Sequence, residues 1–322
     1  MSRKMPQMTE NPFLLALPAL FSSWSRAHAS NRPKARTKKS RELLPYPCGL
    51  RNKRRNRALF IRGIFPLAAF VALSASAIGS EAGLWQLTAR PEETDASGAV
   101  RFRQLQAQGP DGRSAEIWLA FAPVGQVRCR VIARSTRPFD SVRAAVEQSG
   151  SVAGVNGGYF KEDGSPVGLL VCAGRQVRPF EKARLLSGTF LVRAGRPYIQ
   201  RTADAPRGPL DEAIQCGPLL VERGATVAGL NDERIAPRTF VFLTAQARVG
   251  IGIIRSATLT QAARLLVSPT LLPDDRIKVA LNLDGGSSTG FFGQARGGSL
   301  DQPEWARVSD CLVFGRKKTI FR

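Results

Sequence analysis

Two stretches of this chain combine residue types that can do chemistry: Asp284-Gly285-Gly286-Ser287-Ser288 and Asn156-Gly157-Gly158-Tyr159-Phe160. In the first, a carboxylate is followed by two residues free to take positive φ and then by two hydroxyls. Consecutive glycines let backbone N–H groups converge on one concavity, which suits an anionic oxygen. In the second, an amide, backbone donors and an aromatic face share one turn, the mixture that a sugar site needs. Each stretch alone also reads as a plain turn, since Asp caps its own backbone and Asn-Gly is a hairpin signal. The recurrence of the pattern at two distant places is what points to a shared cavity.

Composition narrows the chemistry further. The only histidine, His28, lies far upstream of both stretches. A Ser-His-Asp triad, a Cys-His pair and His-ligated zinc are therefore excluded from the downstream region. Acid–base work there falls to carboxylates, Tyr, Lys, Cys or backbone groups. The net charge of +22 is unevenly spread: the first 80 residues hold 15 of the 47 Lys/Arg and only Glu10 and Glu42 of the acids. They carry +13 of the +22, which leaves +9 for the remainder. A domain of that charge fits an anionic substrate or envelope polymer without requiring nucleic acid, and no nucleic-acid partner is expected. Oxygen ligands at Asp284 can hold a divalent cation, but no EF-hand-like ligand series accompanies it, and no cofactor is expected.

The elements that must position the two turns are mostly strands. Ile277 to Leu283 is an apolar strand running into Asp284, and Ser151 to Val155 is one running into Asn156. Ala99 to Gln108, Ala115 to Ala122 and Gln126 to Ala133 read as consecutive strands separated by Gly/Pro turns. Further strands are expected over Val167 to Cys172, Gly188 to Arg193, Tyr198 to Arg201, Ala213 to Val221 with a bend at Gly217-Pro218, Arg238 to Leu243, Arg248 to Ile254 and Arg307 to Phe314. Ser141 to Gln148 reads as a helix capped by Asp140 or Ser141, and a second helix runs to about Val267 from a cap at Thr258 or Thr260. The expected fold is α+β: a strand-rich mixed or antiparallel sheet packed with a few short helices, in a single domain over residues 98–322, with both turns at one end of a common sheet.

Residues 1–57 contain basic runs with few apolar residues and read as a disordered preamble. Within residues 58–80, Ile64 to Gly79 is uncharged, follows Arg62 and ends near Ala75-Ser76-Ala77, the pattern of a secretory signal or membrane anchor. The biological start is expected near Leu50, and residues 81–97 form a polar linker. The protein is thus expected to be exported, either periplasmic or anchored in the inner membrane through that segment alone. In an oxidising compartment Cys129, Cys172, Cys216 and Cys311 allow two disulfides in three connectivities; as small buried hydrophobes they stay free.

The series VNGGYF (155–160), GSPVGLLV (164–171), IQCGPLLVERG (214–224), APRTFVFL (236–243), TLTQAARLL (258–266) and ALNLDGGSSTGFF (280–292) resembles the phosphodiester glycosidase family across roughly residues 120–315. The resemblance implies hydrolysis of a sugar-1-phosphodiester at the anomeric carbon, with a sugar-phosphate glycan or small glycosyl phosphodiester as partner. Residue by residue it implies that Asn156, Gly157, Gly158, Phe160, Gly217, Arg238, Gly285, Gly286, Ser287 and Ser288 bind substrate. Two departures stand out: Ala236 occupies a place where many members carry His, and two glycines follow Asp284 where the eukaryotic form tends to have three. An oxocarbenium-like transition state calls for carboxylates. Asp284 is the first candidate, with Glu162 or Asp163 as the second, and Asp232 and Glu233 as alternatives. Arg238 either neutralises the phosphate through a bidentate fork or makes a structural ion pair. A non-catalytic glycan- or envelope-polymer-binding module is the alternative function, and a membrane-anchored structural protein a third.

Overall fold

The computed structural model describes residues 85–204 and 208–317. All described residues belong to one compact unit. The basic preamble and the apolar segment expected to be a signal or anchor lie outside them. No helix among the described residues is long and apolar enough to cross a membrane.

In chain order the strands are β1 (Gln86–Ala89), β2 (Glu93–Thr94), β3 (Arg101–Gln108), β4 (Ser114–Pro123), β5 (Val127–Ala133), β6 (Ser151–Asn156), β7 (Leu170–Cys172), β8 (Arg175–Arg178), β9 (Gly188–Arg193) and β10 (Arg196–Arg201). They continue as β11 (Glu212–Cys216), β12 (Leu219–Glu222), β13 (Ala225–Thr226), β14 (Ala236–Thr244), β15 (Arg248–Ala257), β16 (Ile277–Asn282), β17 (Phe291–Ala295), β18 (Gly298–Gln302) and β19 (Asp310–Arg316). Two α-helices join them, α1 (Val142–Gln148) and α2 (Leu259–Leu266). The fold is therefore strand-dominated rather than evenly α+β, and among the described residues the paired strands are antiparallel, not mixed.

The strands form three sheets where one was expected. The largest runs β1-β3-β4-β15-β14-β16-β12-β13 with β2 beside β3; a second runs β10-β9-β11-β7-β8; the third runs β18-β17-β6-β19-β5. One apolar cluster takes Phe102 and Ile251 from the first, Phe190 and Ile214 from the second, and Val155 and Phe314 from the third. The outer face of the first sheet is covered by α2, whose Ala262, Ala263, Leu265 and Leu266 meet Phe240, Phe242 and Ile254. The outer face of the third is covered by α1 through Val142, Ala145 and Val146. Period-two alternation is what lets β14 and β15 feed both cores: Val241, Ile251 and Ile253 point inward, Phe240, Phe242 and Ile254 outward.

Both helices start where the hydroxyl caps predict. The Ser141 side chain accepts from Ala144 N, and Thr258 forms a full capping box with Gln261. Across β14 and β15, Gly250 lies opposite Phe242 and Gly252 opposite Phe240. A Cβ on Gly250 would sit 2.0 Å from the Phe242 ring, so the glycine is the space that the phenyl occupies.

Three departures from the sequence reading have simple causes. Residues 85–97, read as linker, add β1 and β2 to the edge of the first sheet, because main-chain pairing with β3 does not need an apolar side-chain pattern. The expected strand Ala213 to Val221 is two strands in two sheets, β11 and β12, with the chain turning at the cis Gly217-Pro218 peptide. The four cysteines of the domain are free and buried, so each acts as a small core residue.

Candidate active site

β6 of the third sheet ends in Asn156 and β16 of the first ends in Asn282, two residues before Asp284. The two glycine turns thus leave different sheets, yet they are stitched together. Asp284 N donates to Gly157 O at 3.0 Å, and Asn156 Nδ2 donates to Asp284 O at 2.8 Å. Asn156 Oδ1 accepts from Thr239 Oγ1 at 2.7 Å and from Gly290 N at 3.2 Å. The amide expected to meet substrate is instead fully buried and spent on holding β6, β14 and the 284–290 turn in register.

A third group completes the knot. The Asp310 carbonyl accepts from Gly157 N at 2.8 Å. Its Oδ1 accepts from Gly158 N at 3.0 Å and its Oδ2 from Ser309 Oγ at 2.5 Å. A Cβ on Gly157 would fall 1.8 Å from Asp310 Oδ1, so only glycine lets the loop lie on the carboxylate. Asp310 is 1% exposed. Burial pushes its carboxyl up to about 6; Ser309 and Gly158 pull against this, and the charge of Asp284 adds to it.

Asp284 itself is half-buried at the mouth of the turn. Its Oδ1 accepts from Gly285 N at 2.9 Å. Burial raises its pKa above the ordinary carboxylate value, against hydrogen bonds from Ser288 and Gly285. Gly286 has φ +64°, the left-handed conformation that starts the short 3-10 turn over Gly286–Ser288. Ser287 is exposed and Ser288 buried. Behind the turn, Tyr159 Oη donates to Gly217 O at 2.6 Å, and Asn282 Nδ2 donates to the same carbonyl at 3.0 Å. Burial, with Cys216 and Asp284 nearby, holds the Tyr159 phenol well above its ordinary pKa.

Of the other residues picked from sequence, Arg238 adjoins the Asp284 turn through its backbone, its Cα 3.9 Å from where a Cβ on Gly285 would lie. Glu162 and Asp163 are on the exposed tip of the hairpin, where Asp163 Oδ1 accepts from Ser165 N at 2.8 Å. Phe160 bridges to Pro166 at the base of that hairpin. Asp232 accepts from the hydroxyl of Thr258, the α2 cap, at 2.6 Å, and Glu233 is exposed. Arg238 pairs with Ile254 across β14 and β15, which puts it on the α2 side of the sheet. Its guanidinium donates to Ala257 O at 3.0 Å and to Arg234 O. Among the described residues it makes no ion pair. Burial and Arg234 lower its pKa.

Asp310 and Thr239 are the members of the knot that motif reading passed over. The signal for Asp310 was available: a lone acid directly before the apolar run Cys311 to Phe314. Among the described residues, no group of three or more His, Cys, Asp or Glu is placed to hold a metal ion.

The arrangement offers a raised carboxyl at a turn mouth, an exposed hydroxyl beside it, and a second, buried carboxylate that fixes the facing loop. A family model described as phosphodiester glycosidase matches residues 149–314, the span that contains every part of the knot. No curated protein matches the chain. Among solved structures, the chain resembles the catalytic domain of zebrafish N-acetylglucosamine-1-phosphodiester alpha-N-acetylglucosaminidase, auto-inhibited by its pro-peptide, with 17% identity and a TM-score of 0.51 over 74% of this chain and 85% of that one. It also resembles a hypothetical protein from Synechocystis, with 15% identity and a TM-score of 0.50 over 73% of this chain and 68% of that one. At these identities the likeness is one of fold.

Proposed function

Because the chain belongs to the phosphodiester glycosidase family, we propose that it is an exported hydrolase that cleaves a sugar-1-phosphodiester in an envelope or extracellular glycan. Water adds to the anomeric carbon while the bond from that carbon to the phosphate oxygen breaks. The electron pair stays on the phosphate oxygen, and the leaving group is a phosphate monoester that needs little protonation. Asp284 is the acting carboxylate: it takes the proton of the water and stabilises the positive charge that develops on the sugar ring. Its environment supports this role, since a half-buried acid with a raised pKa holds a proton more readily than a solvated one.

Asp310 acts through the backbone. By binding the N–H groups of Gly157 and Gly158 it fixes the loop that faces Asp284. Ser287, exposed beside Asp284, is placed to meet a sugar or phosphate oxygen. The observation that carries this reading is the direct stitching of Asn156 to the Asp284 backbone, which joins the two turns into one site.

The test is incubation of the full chain with a panel of sugar-1-phosphodiesters. Release of reducing sugar that Asp284→Asn abolishes supports the hydrolase. Binding of the same esters with no release from any of them identifies a glycan-binding module of this fold instead.

A further inference from the structure

A groove lies at the opposite end of β16 from Asp284. Lys278 and Val279, near the start of that strand, line it, whereas Asp284 follows the last strand residue. The extended chain from Lys278 to Asp284 spans roughly 20 Å, so the groove is separate from the catalytic turn. All three sheets contribute to it. Arg196 and Tyr198 come from β10 of the second, Arg248 and Lys278 from β15 and β16 of the first, and Lys317 directly follows β19 of the third. Its volume of about 650 Å³ is that of an ordinary ligand pocket, far larger than one small ion needs.

The charge of the groove is one-sided. Arg196, Arg248, Lys278 and Lys317 line it, and among the described residues that do so there is no Asp or Glu. Two acids adjoin it, and both are engaged. Asp211 Oδ2 accepts from Gly195 N at 2.7 Å. Asp275 lies 3.7 Å from Arg248 Nε, and its Oδ1 accepts from Gln246 N and Arg276 N. Arg248 is thereby fixed, with its guanidinium also 5.9 Å from the Phe121 ring. Lys317 Nζ donates to Val124 O at 3.3 Å and keeps two N–H groups to spare. Arg196 and Lys278 are exposed, and their side chains make no hydrogen bond or ion pair among the described residues. Like charges gathered in a concavity raise the local potential and repel one another, a cost that an anionic partner removes. Tyr198 adds an aromatic face. It is 42% exposed, and alternation along β10 sets it beside Arg196 while Pro197 and Ile199 are buried.

We propose that this groove binds a segment of an acidic polysaccharide, with carboxylates on Arg196, Lys278 and Lys317 and one pyranose face against Tyr198. A guanidinium edge suits two carboxylate oxygens, and an aromatic face suits the C–H side of a sugar. Single-stranded nucleic acid calls for several stacking rings, and the groove offers Tyr198 alone among the described residues. A bilayer surface does not enter a groove. The site does not depend on the reading of Asp284 as the acting carboxylate; for a polymeric substrate it supplies a second point of attachment.

Calorimetric titration of the full chain with tetragalacturonate, neutral maltotetraose and tetraglutamate tests it. Tetragalacturonate is expected to bind most tightly of the three. Arg196→Gln combined with Lys278→Gln should weaken it roughly tenfold. Tyr198→Ala should weaken it roughly fivefold and leave tetraglutamate unaffected. A charge-keeping swap, Arg196→Lys with Lys278→Arg, should retain the affinity, which separates loss of charge from loss of fold. Asp284→Asn should bind as the native chain does. No preference for tetragalacturonate over maltotetraose overturns the proposal. So does unchanged affinity in the Gln double variant, which would assign the binding to cations elsewhere in the chain. Loss of binding in Asp284→Asn would put the sugar at the catalytic turn and overturn it as well. Tetraglutamate binding as tightly as tetragalacturonate, with Tyr198→Ala without effect, would make the groove a site for acidic peptides instead. Hydrolysis is not a readout here, so the hydrolytic reading and the groove assignment stand or fall separately.

Discussion

Replacing Asp310 with asparagine removes a buried charge while keeping the shape that cradles Gly157 and Gly158. The amide oxygen can still accept from Gly158 N, and the Ser309 hydroxyl can reverse to accept from the amide. In the native protein the Asp310 carboxyl titrates at about 6, against 3.8 for a free aspartate, because it is buried. Between those two values the folded state holds a proton that the unfolded chain has lost. Stability from this group is therefore greatest below about pH 4 and is lost as pH rises through 6. The gap is worth about 3 kcal/mol. Asp310→Asn carries no such penalty, so its stability relative to the native chain should climb by about 3 kcal/mol between pH 4 and pH 8. Urea unfolding of both proteins across that range reads the difference directly. Parallel curves, with an offset that does not change with pH, would refute the assignment of a raised, ionisable Asp310.

Other expectations follow from the same geometry. Gly157→Ala forces a Cβ to within 1.8 Å of Asp310 Oδ1; thermal unfolding should show a loss of about 3 kcal/mol or more, with sugar release abolished. Asn156→Ala strands Thr239 Oγ1, Gly290 N and Asp284 O, and chemical denaturation should register roughly 3 kcal/mol of destabilisation. The pH–rate profile of sugar release should fall on the acid side at a higher pH than an ordinary aspartate would set, because burial raises Asp284; an acid limb below the free-aspartate value of 3.8 contradicts that role. Cys129 and Cys172, buried with thiols pushed up to about 12, should resist a thiol reagent at pH 8 until the chain unfolds, and rapid labelling of the folded protein would show them exposed.

Local signals were readable where local chemistry decides the outcome. Ser141 and Thr258 cap their helices as their hydroxyls require, and Gly188–Arg193 is a strand with the expected bounds. The meeting of the Asn156 and Asp284 turns was also legible in the recurrence of a glycine-paired loop after an apolar strand, and the two turns meet through direct hydrogen bonds. Which sheet each strand joins was not legible. The chain leaves the second sheet at Cys216 and enters the first at Leu219, a switch made by tertiary packing and not by pattern. The hairpin of β17 and β18 gave little sequence signal because its second strand, Gly298–Gln302, offers only Leu300 to the core. Charge was the other blind spot. Glu162 and Asp163, site candidates in sequence, are exposed turn residues, whereas Asp310, read as part of a strand and lying in β19, also binds the Gly157-Gly158 loop.

The knot at Asn156 has an architectural consequence. Its partners lie 83, 128 and 134 residues further along the chain, on segments that belong to different layers of the domain. No fragment that lacks any part of residues 156–290 holds all of those pieces, so a smaller module cut from within that span cannot assemble the knot. Turnover should accordingly vanish in a single step with the global melt, and a circularly permuted chain should regain it only if every layer reassembles.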